Sequence, residues 1–139
     1  MLYLLDTNIF RELLEHFPRR GKIFEMVWER IEQGIMNGTI LSVDECYNEL
    51  TLHYDESNEN YKWLEDRKKM FLNPSNEESL YIRDLFENPK MRESIHEKNI
   101  VTNRPAADVY LAAKAKTLRG IVVTQEKYKA NSAQLLRDT

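Results

Sequence analysis

The sequence is poor in cysteine, glycine, proline and histidine, and it lacks a long apolar run. Its 139 residues include 1 Cys, 4 Gly, 4 Pro and 3 His. The single thiol, Cys46, excludes an internal disulfide, which agrees with a reducing compartment. No apolar segment approaches the roughly 18 residues that a membrane-spanning helix needs. Met1 leads into a core-strand pattern without the basic flank of a secretory signal, so we expect a cytoplasmic protein without membrane association.

The composition is that of a folded globular chain. Hydrophobic residues make up 42%, charged residues make up 31%, and the net charge is -3. The length suits one domain, and we predict that residues 1–139 form a single domain. Proteins that bind nucleic acid electrostatically usually carry a basic face. The mildly acidic net charge of this chain does not indicate one. A function on nucleic acid would therefore need a bound cation to offset phosphate repulsion.

Three short apolar segments are typical of β-strands. They are residues 1–5, 39–43 and 121–124. Continuous apolar character without polar alternation predicts parallel strands that are covered on both faces. The fold class predicted is therefore α/β, a three-layer α/β/α sandwich with a short central parallel sheet. The strongly charged residues 55–100 are predicted to form a helical excursion beside that sheet.

Helical spacing of apolar residues separates these strands. It is found in residues 8–17, 22–33 and 45–54, and again from residue 105 or 106 onward. Gly34, together with Asn37-Gly38, is predicted to end the second helix. Asp44 is predicted to N-cap the third helix. Gly120 is predicted to end the last helix in a left-handed conformation.

Acidic residues stand where the predicted strands end. Asp6 follows the first strand, and Glu126 lies just beyond the third. Glu49 lies on the helix entered after the second strand, and Asp108 lies in the first turn of the helix before the third. The carboxyl ends of parallel strands share one edge of a sheet, so these four carboxylates are expected to converge.

A convergence of carboxylates calls for a cation. Two like charges about 4 Å apart repel by roughly 4 kcal/mol at an effective dielectric near 20. Carboxylate oxygens are the ligands that Mg²⁺ and Mn²⁺ prefer, and the histidines show no metal-ligand spacing. Asp6 is thus a candidate metal ligand supported by Thr7 or Asn8. The simpler interpretation of this stretch alone is that one of the three caps the next helix.

Four motifs together resemble the PIN-domain nucleases, and within them the VapC-like toxin ribonucleases and their uncharacterised relatives. The motifs are LLDTN at 4–8, SVDECYNEL at 42–50, DVYLAAKAK at 108–116 and VVTQE at 122–126. The resemblance covers both ends of the chain and the second strand, but not the helical middle.

The resemblance implies a site and a reaction. The acidic residues of the four motifs would chelate one or two divalent ions and direct a water at the RNA backbone. Carried over by motif, the metal-binding and catalytic residues are Asp6, Glu49, Asp108 and Glu126, with Thr124 or Thr7 as a polar neighbour. Asp6 and Asp108 are expected to be ligands, and Glu49 to be a ligand or the general base. Glu126 is expected to hold a second ion or an outer-shell water.

The chain departs from the family pattern in two places. The last acid of the family is most often Asp, whereas Glu126 carries an extra methylene that places its carboxylate differently. Members commonly add a strand after that acid, and we expect this C-terminal strand to be missing here. For the second acid, Asp44 and Glu45 lie closer to the strand end than Glu49. Glu49 is preferred because the family acid is followed by Leu, as here by Leu50.

The predicted function is a divalent-metal-dependent endoribonuclease, the toxin of a toxin-antitoxin pair. Its expected cofactor is Mg²⁺ or Mn²⁺, and its expected partners are RNA, a cognate antitoxin and a second copy of the chain. Basic residues flank the last two motifs, where they are candidates for phosphate contacts or, more simply, for a solvated helix face. They are Lys114, Lys116, Arg119, Lys127 and Lys129.

Three alternative functions were weighed. A phosphoacceptor receiver domain expects a pair of acids after its first strand and a lysine after its last, whereas this chain has Asp6-Thr7-Asn8 and Glu126-Lys127. A haloacid-dehalogenase-type phosphatase expects a second aspartate where Asn8 stands. A catalytically degenerate PIN-like module that binds a protein partner is the remaining alternative.

Overall fold

The computed structural model describes residues 1–90 and 107–125. Four strands and six α-helices are found there. The strands are β1 (Tyr3–Leu5), β2 (Ile40–Val43), β3 (Phe71–Leu72) and β4 (Ile121–Val123). The helices are α1 (Thr7–His16), α2 (Glu25–Asn37), α3 (Asp44–His53), α4 (Glu59–Asp66), α5 (Asn76–Glu87) and α6 (Ala107–Leu118), and a short 3₁₀ turn (Lys68–Met70) precedes β3.

The four strands form one parallel sheet in the order β3-β2-β1-β4. β1 lies between β2 and β4, with Tyr3 opposite both Ile40 and Ile121. The helices α1 and α3 begin directly after β1 and β2, without intervening loops. Both helices therefore start at the edge of the sheet where the strands end.

Both faces of the sheet are covered at β1 and β2, whereas Ile121 and Val122 of β4 are 43% and 36% exposed, against the expectation that this strand is covered too. Successive side chains of a strand point to opposite faces, and Leu4 and Leu5 of β1 are both buried. Ser42 and Val43 of β2 are buried in the same way. The predicted α/β class, with a parallel sheet between helical layers, is confirmed.

The strand β3 was not predicted from the sequence. It lies within the segment expected to be wholly helical and pairs with β2 through Ser42 opposite Phe71. The Phe71 ring packs between Phe10 and Tyr47, with ring centroids 5.2 Å and 5.3 Å away. Two apolar residues are too few to distinguish a strand from a helical anchor by periodicity, so tertiary pairing decides this element.

The second helix runs past Gly34, which corrects the expectation that Gly34 helps to end it. Gly38 is the C-cap, with the left-handed φ of 75°, as the Asn37-Gly38 pair predicted. A side chain at Gly34 would place Cβ 2.6 Å from Ile40 Cδ1. The glycine therefore allows α2 to pack closely on β2. The third helix also differs slightly, since Asp44 is its first residue and not its cap.

The prediction that Gly120 takes a left-handed conformation was wrong. Arg119 has the positive φ, 56°, and the Gly120 N–H donates to the Ala115 carbonyl at 2.9 Å. Gly120 is required for a different reason. A Cβ at this position would clash with Leu4 Cδ1 and would lie 3.3 Å from the Leu2 carbonyl oxygen. The close approach of the α6–β4 turn to β1 explains the glycine.

Replacing Gly120 with Ala is expected to lower the free energy of unfolding by about 1 to 3 kcal/mol, the usual cost of overpacking a core. Leu4 is fully buried and cannot move aside without disturbing β1. Urea denaturation followed by tryptophan fluorescence measures the loss. The neighbouring Arg119→Gly variant is the control, because glycine suits the left-handed conformation there and should cost nothing. Equal losses in the two variants would contradict this explanation.

Three expectations for the fold concern residues that lie outside the described ranges. These are residues 91–100 of the helical excursion, the start of the last helix at residue 105 or 106, and the missing strand after Glu126. Within residues 1–90 and 107–125, no helix is both long enough and apolar enough to cross a membrane.

Candidate functional site

Asp6 joins three elements at the carboxyl edge of the sheet. The residue is 8% exposed. Oδ1 accepts a hydrogen bond from the Ile9 N–H at 3.0 Å and so caps α1, while Oδ2 accepts one from the Thr124 hydroxyl. The Asp6 N–H donates to the Val123 carbonyl at 3.2 Å, which continues the pairing of β1 with β4. The helix cap predicted for this stretch is thus present, and the same carboxylate also reaches the residue after β4.

Thr7 connects the first helix to the third. Its hydroxyl donates to Glu49 Oε2 at 2.6 Å, although the two residues are 42 positions apart. Glu49 therefore lies beside the residue that follows Asp6.

The rival acids Asp44 and Glu45 lie in the first turn of α3. Burial raises the pKa of Tyr110, and the carboxylates of Glu45 and Asp44 raise it further. Tyr110 belongs to α6, so both carboxylates lie in the neighbourhood of that helix. Glu49 faces α1 through its bond with Thr7. The contact with Thr7 thus distinguishes Glu49 from the two acids that are nearer to β2 in sequence.

Cys46 lies beneath these side chains. Its thiol is fully buried, and the hydroxyls of Ser42 and Thr7 lie close to it. Burial raises the pKa of the thiol to about 11, and the negative charges of Glu49 and Asp6 also act to raise it. The carboxylates of Asp6 and Glu49 and the hydroxyl of Thr7 thus lie in the neighbourhood of one buried thiol.

The Cys46 thiol is expected to be unreactive in the native protein. A pKa of about 11 leaves very little thiolate at pH 8, and the sulfur is fully buried. An alkylating reagent such as iodoacetamide should label the chain at pH 8 only in denaturant, as measured by mass spectrometry. Rapid labelling without denaturant would show that the thiol is accessible or ionised.

The remaining predicted site residues are placed as follows. Asp108 lies partly buried in the first turn of α6, a helix that packs on β1, β2 and β4. A helix that leads into a parallel strand begins near the carboxyl edge of the sheet, so Asp108 lies on the expected side. Asn8 is exposed on α1, and Thr124 is exposed after β4. Glu126 lies outside the described residues.

The donor atoms of this edge fit a hard cation in their chemistry. They are carboxylate and hydroxyl oxygens, and the nearby thiol is protonated. Across the described ranges, no three His, Cys, Asp or Glu side chains lie close enough together to hold a metal ion. Within the same ranges, Asp6 forms no ion pair with a lysine, arginine or histidine.

The structure corrects the expectation for Lys114. It is neither a solvated residue nor a phosphate contact, because it is 5% exposed and its Nζ lies 2.8 Å from Glu78 Oε1. The sequence did not predict this pair. Ser75 and Glu78 form a Ser-x-x-Glu pattern, which is typical of a helix start. That pattern indicates a cap but does not indicate a partner on another helix. Of the other basic residues, Lys116 lies over the Tyr81 ring, and Arg119 is exposed. Lys127 and Lys129 lie outside the described residues.

A family model described as a domain of unknown function (DUF4411) matches residues 3–137. The chain belongs to this family. A comparison with curated proteins finds no match. The solved structure of VapBC-1 from nontypeable Haemophilus influenzae is similar in fold, with a TM-score of 0.56 and 19% sequence identity. The match covers 99% of this chain and 94% of that one. The predicted PIN-like α/β fold class is thus confirmed for this DUF4411 domain.

Proposed function

We propose that the chain is a divalent-metal-dependent endoribonuclease that binds Mg²⁺ or Mn²⁺ through Asp6, Glu49, Asp108 and Glu126. The observation that carries the proposal is the buried Asp6 carboxylate. Burying an ionised carboxylate costs several kcal/mol unless hydrogen bonds or a positive charge compensate. Asp6 accepts two hydrogen bonds, but no cationic side chain of the described ranges forms an ion pair with it. A second carboxylate, Glu49, accepts from Thr7, the residue next to Asp6, and adds negative charge at this edge.

The chain's own side chains would perform distinct parts of the reaction. The Ile9 N–H and the Thr124 hydroxyl orient the two oxygens of Asp6. The Thr7 hydroxyl holds Glu49 in place, either as a ligand or as the base that takes a proton from the attacking water. The chemistry supplied by a bound ion is Lewis acidity toward the phosphate and a lowered pKa for a coordinated water.

A toxin role is the biological context we propose. The motifs resemble those of VapC-like toxins, and the fold is similar to that of VapBC-1. The resemblance implies a small antitoxin as the protein partner and cytoplasmic RNA as the substrate. Self-association of the chain remains a prediction from the resemblance.

Cleavage of a structured RNA pool tests the proposal. The purified chain is incubated with Mn²⁺, with Mg²⁺ or with chelator, and the products are separated by length. Metal-dependent cleavage that stops in chelator is expected. A folded chain that cleaves nothing under any of these conditions would contradict the nuclease proposal and favour the partner-binding PIN-like module.

A further inference from the structure

Lys114 makes two polar contacts in the interior of the protein. Its Nζ lies 2.8 Å from Glu78 Oε1 and donates to the Asn73 carbonyl oxygen at 2.7 Å. The side chains of Lys114 and Glu78 are 6% and 2% exposed. Glu78 belongs to the first turn of α5, and Asn73 directly follows β3. One ammonium group therefore ties α6 to a second helix and to the end of a strand.

Stability alone does not explain a buried ion pair. Well-packed apolar residues of similar volume are often as stabilising as such a pair, because both charges lose their hydration. The pair also restricts how the two helices can be oriented relative to each other. A hydrogen-bonded ion pair is satisfied in one relative placement of its elements, whereas apolar contacts tolerate several.

The packing of α6 leaves its rotation poorly specified by apolar contacts. Ala107 and Leu111 pack into the core on the sheet side, and Val109 and Ala113 pack against α5. A helix with one apolar stripe is oriented by that stripe, but α6 is apolar on two sides. Several of the side chains through which α6 makes these contacts are alanines. Their small size gives only shallow ridges on the helix surface, which resist sliding or rotation of α6 weakly.

We propose that Lys114 is a positioning residue that sets the rotation of α6 and so places Asp108 at the carboxyl edge of the sheet. The part that concerns Asp108 rests on the proposed nuclease function, whereas the part that concerns rotation does not. A turn of α6 by about 20° would carry a side-chain tip about 6 Å from the helix axis through about 2 Å. A misplacement of about 1 Å at a reacting group is enough to cost about 100-fold in rate.

The test replaces the ion pair with apolar residues in the full chain. The double variant Lys114→Met/Glu78→Met removes both charges and keeps similar volumes, so it avoids a lone buried charge. Residual dipolar couplings of the α6 amides relative to those of β1 and β2 report the orientation of the helix. The kcat and KM for RNA cleavage in Mn²⁺ are measured on the same samples.

The expected result is a folded double variant in which α6 is reoriented and kcat falls about 100-fold, with KM changed little. Two further variants sharpen the comparison. Glu78→Gln keeps an acceptor for the ammonium group but removes its countercharge, so it should retain the orientation and the kcat at a lower free energy of unfolding. Val109→Ala weakens the same α5–α6 packing without touching the pair, and should also retain both.

Each contrary outcome contradicts a different part of the inference. Unchanged couplings in the double variant would show that the pair does not orient α6. Reoriented couplings with unchanged kcat would show that the pair does not act through Asp108. A loss of orientation in Val109→Ala would show that general packing, and not the lysine contact, places the helix. If the unmodified chain cleaves no RNA, the nuclease proposal fails, while the couplings still decide the claim about rotation.

Discussion

Replacing Asp6 with Asn is expected to reduce metal-dependent RNA cleavage at least about 100-fold, since changing even the outer-shell partners of a metal site typically costs 10- to 100-fold. The fold should survive the change. Asparagine Oδ1 can still accept the Ile9 N–H, and its amide can donate to the Thr124 hydroxyl in place of the present bond. Only the negative charge is lost, so the decrease reports on that charge. Cleavage rates at saturating Mn²⁺ and a thermal unfolding curve measure the two effects separately.

Two controls separate the cap of α1 from the chemistry. Asp6→Ala removes the cap as well, and should in addition lower the free energy of unfolding by about 0.5 to 2 kcal/mol. Asn58→Ala removes a comparable cap on α4, where Asn58 accepts from the Asn60 N–H at 2.8 Å. This variant should lose similar stability but keep its activity. If Asp6→Asn cleaves RNA as fast as the unmodified chain, Asp6 is a helix cap and not part of an active site.

Replacing Lys114 with Met is expected to lower the free energy of unfolding by about 3 to 5 kcal/mol, which is the usual effect of removing one partner from a buried ion pair. The reason is that Glu78, 2% exposed, would be left without its cation. The Asn73 carbonyl would also lose its donor. The double variant with Glu78→Met should recover most of the loss, because no lone charge is then buried. Urea denaturation of the single and double variants measures both values.

An exposed lysine provides the matched control for this effect. Lys62 lies 3.5 Å from Glu65 and 3.3 Å from Asp66, and its side chain is 68% exposed. Exposed pairs contribute little because solvent screens them, so Lys62→Met should leave stability nearly unchanged. A loss below about 1 kcal/mol for Lys114→Met, or a similar loss for both lysines, would contradict the buried-pair argument.

Local sequence pattern predicted the frame of the fold. Apolar runs identified β1, β2 and β4, and the helical spacing between them placed the helices within a few residues of their observed bounds. The acid after β1 was recognised for the same reason, since a polar residue that directly follows a buried parallel strand stands at the edge of the sheet. Gly38 likewise signalled its left-handed cap through the preceding asparagine.

Contacts between segments that are distant in the sequence could not be predicted from local pattern. β3 exists because Phe71 pairs with β2 and packs between two rings. Gly34 and Gly120 are glycines because another strand approaches each of them closely. A glycine has the same identity whether it supplies a left-handed turn or room for a neighbour, and sequence spacing does not distinguish the two.

The sequence by itself determined the α/β class, the parallel arrangement of its strands, and the position of Asp6 and Glu49 after β1 and β2. These features follow from periodicity and chain order, which are local properties. Only the tertiary structure decided that Glu49 meets Thr7, that Asp6 meets Thr124, and that Lys114 is buried against Glu78. Lys114 and Glu78 are 36 positions apart in the sequence and lie on different helices. Charged residues are mostly exposed unless they are paired, so the sequence of either helix alone predicts a solvated side chain.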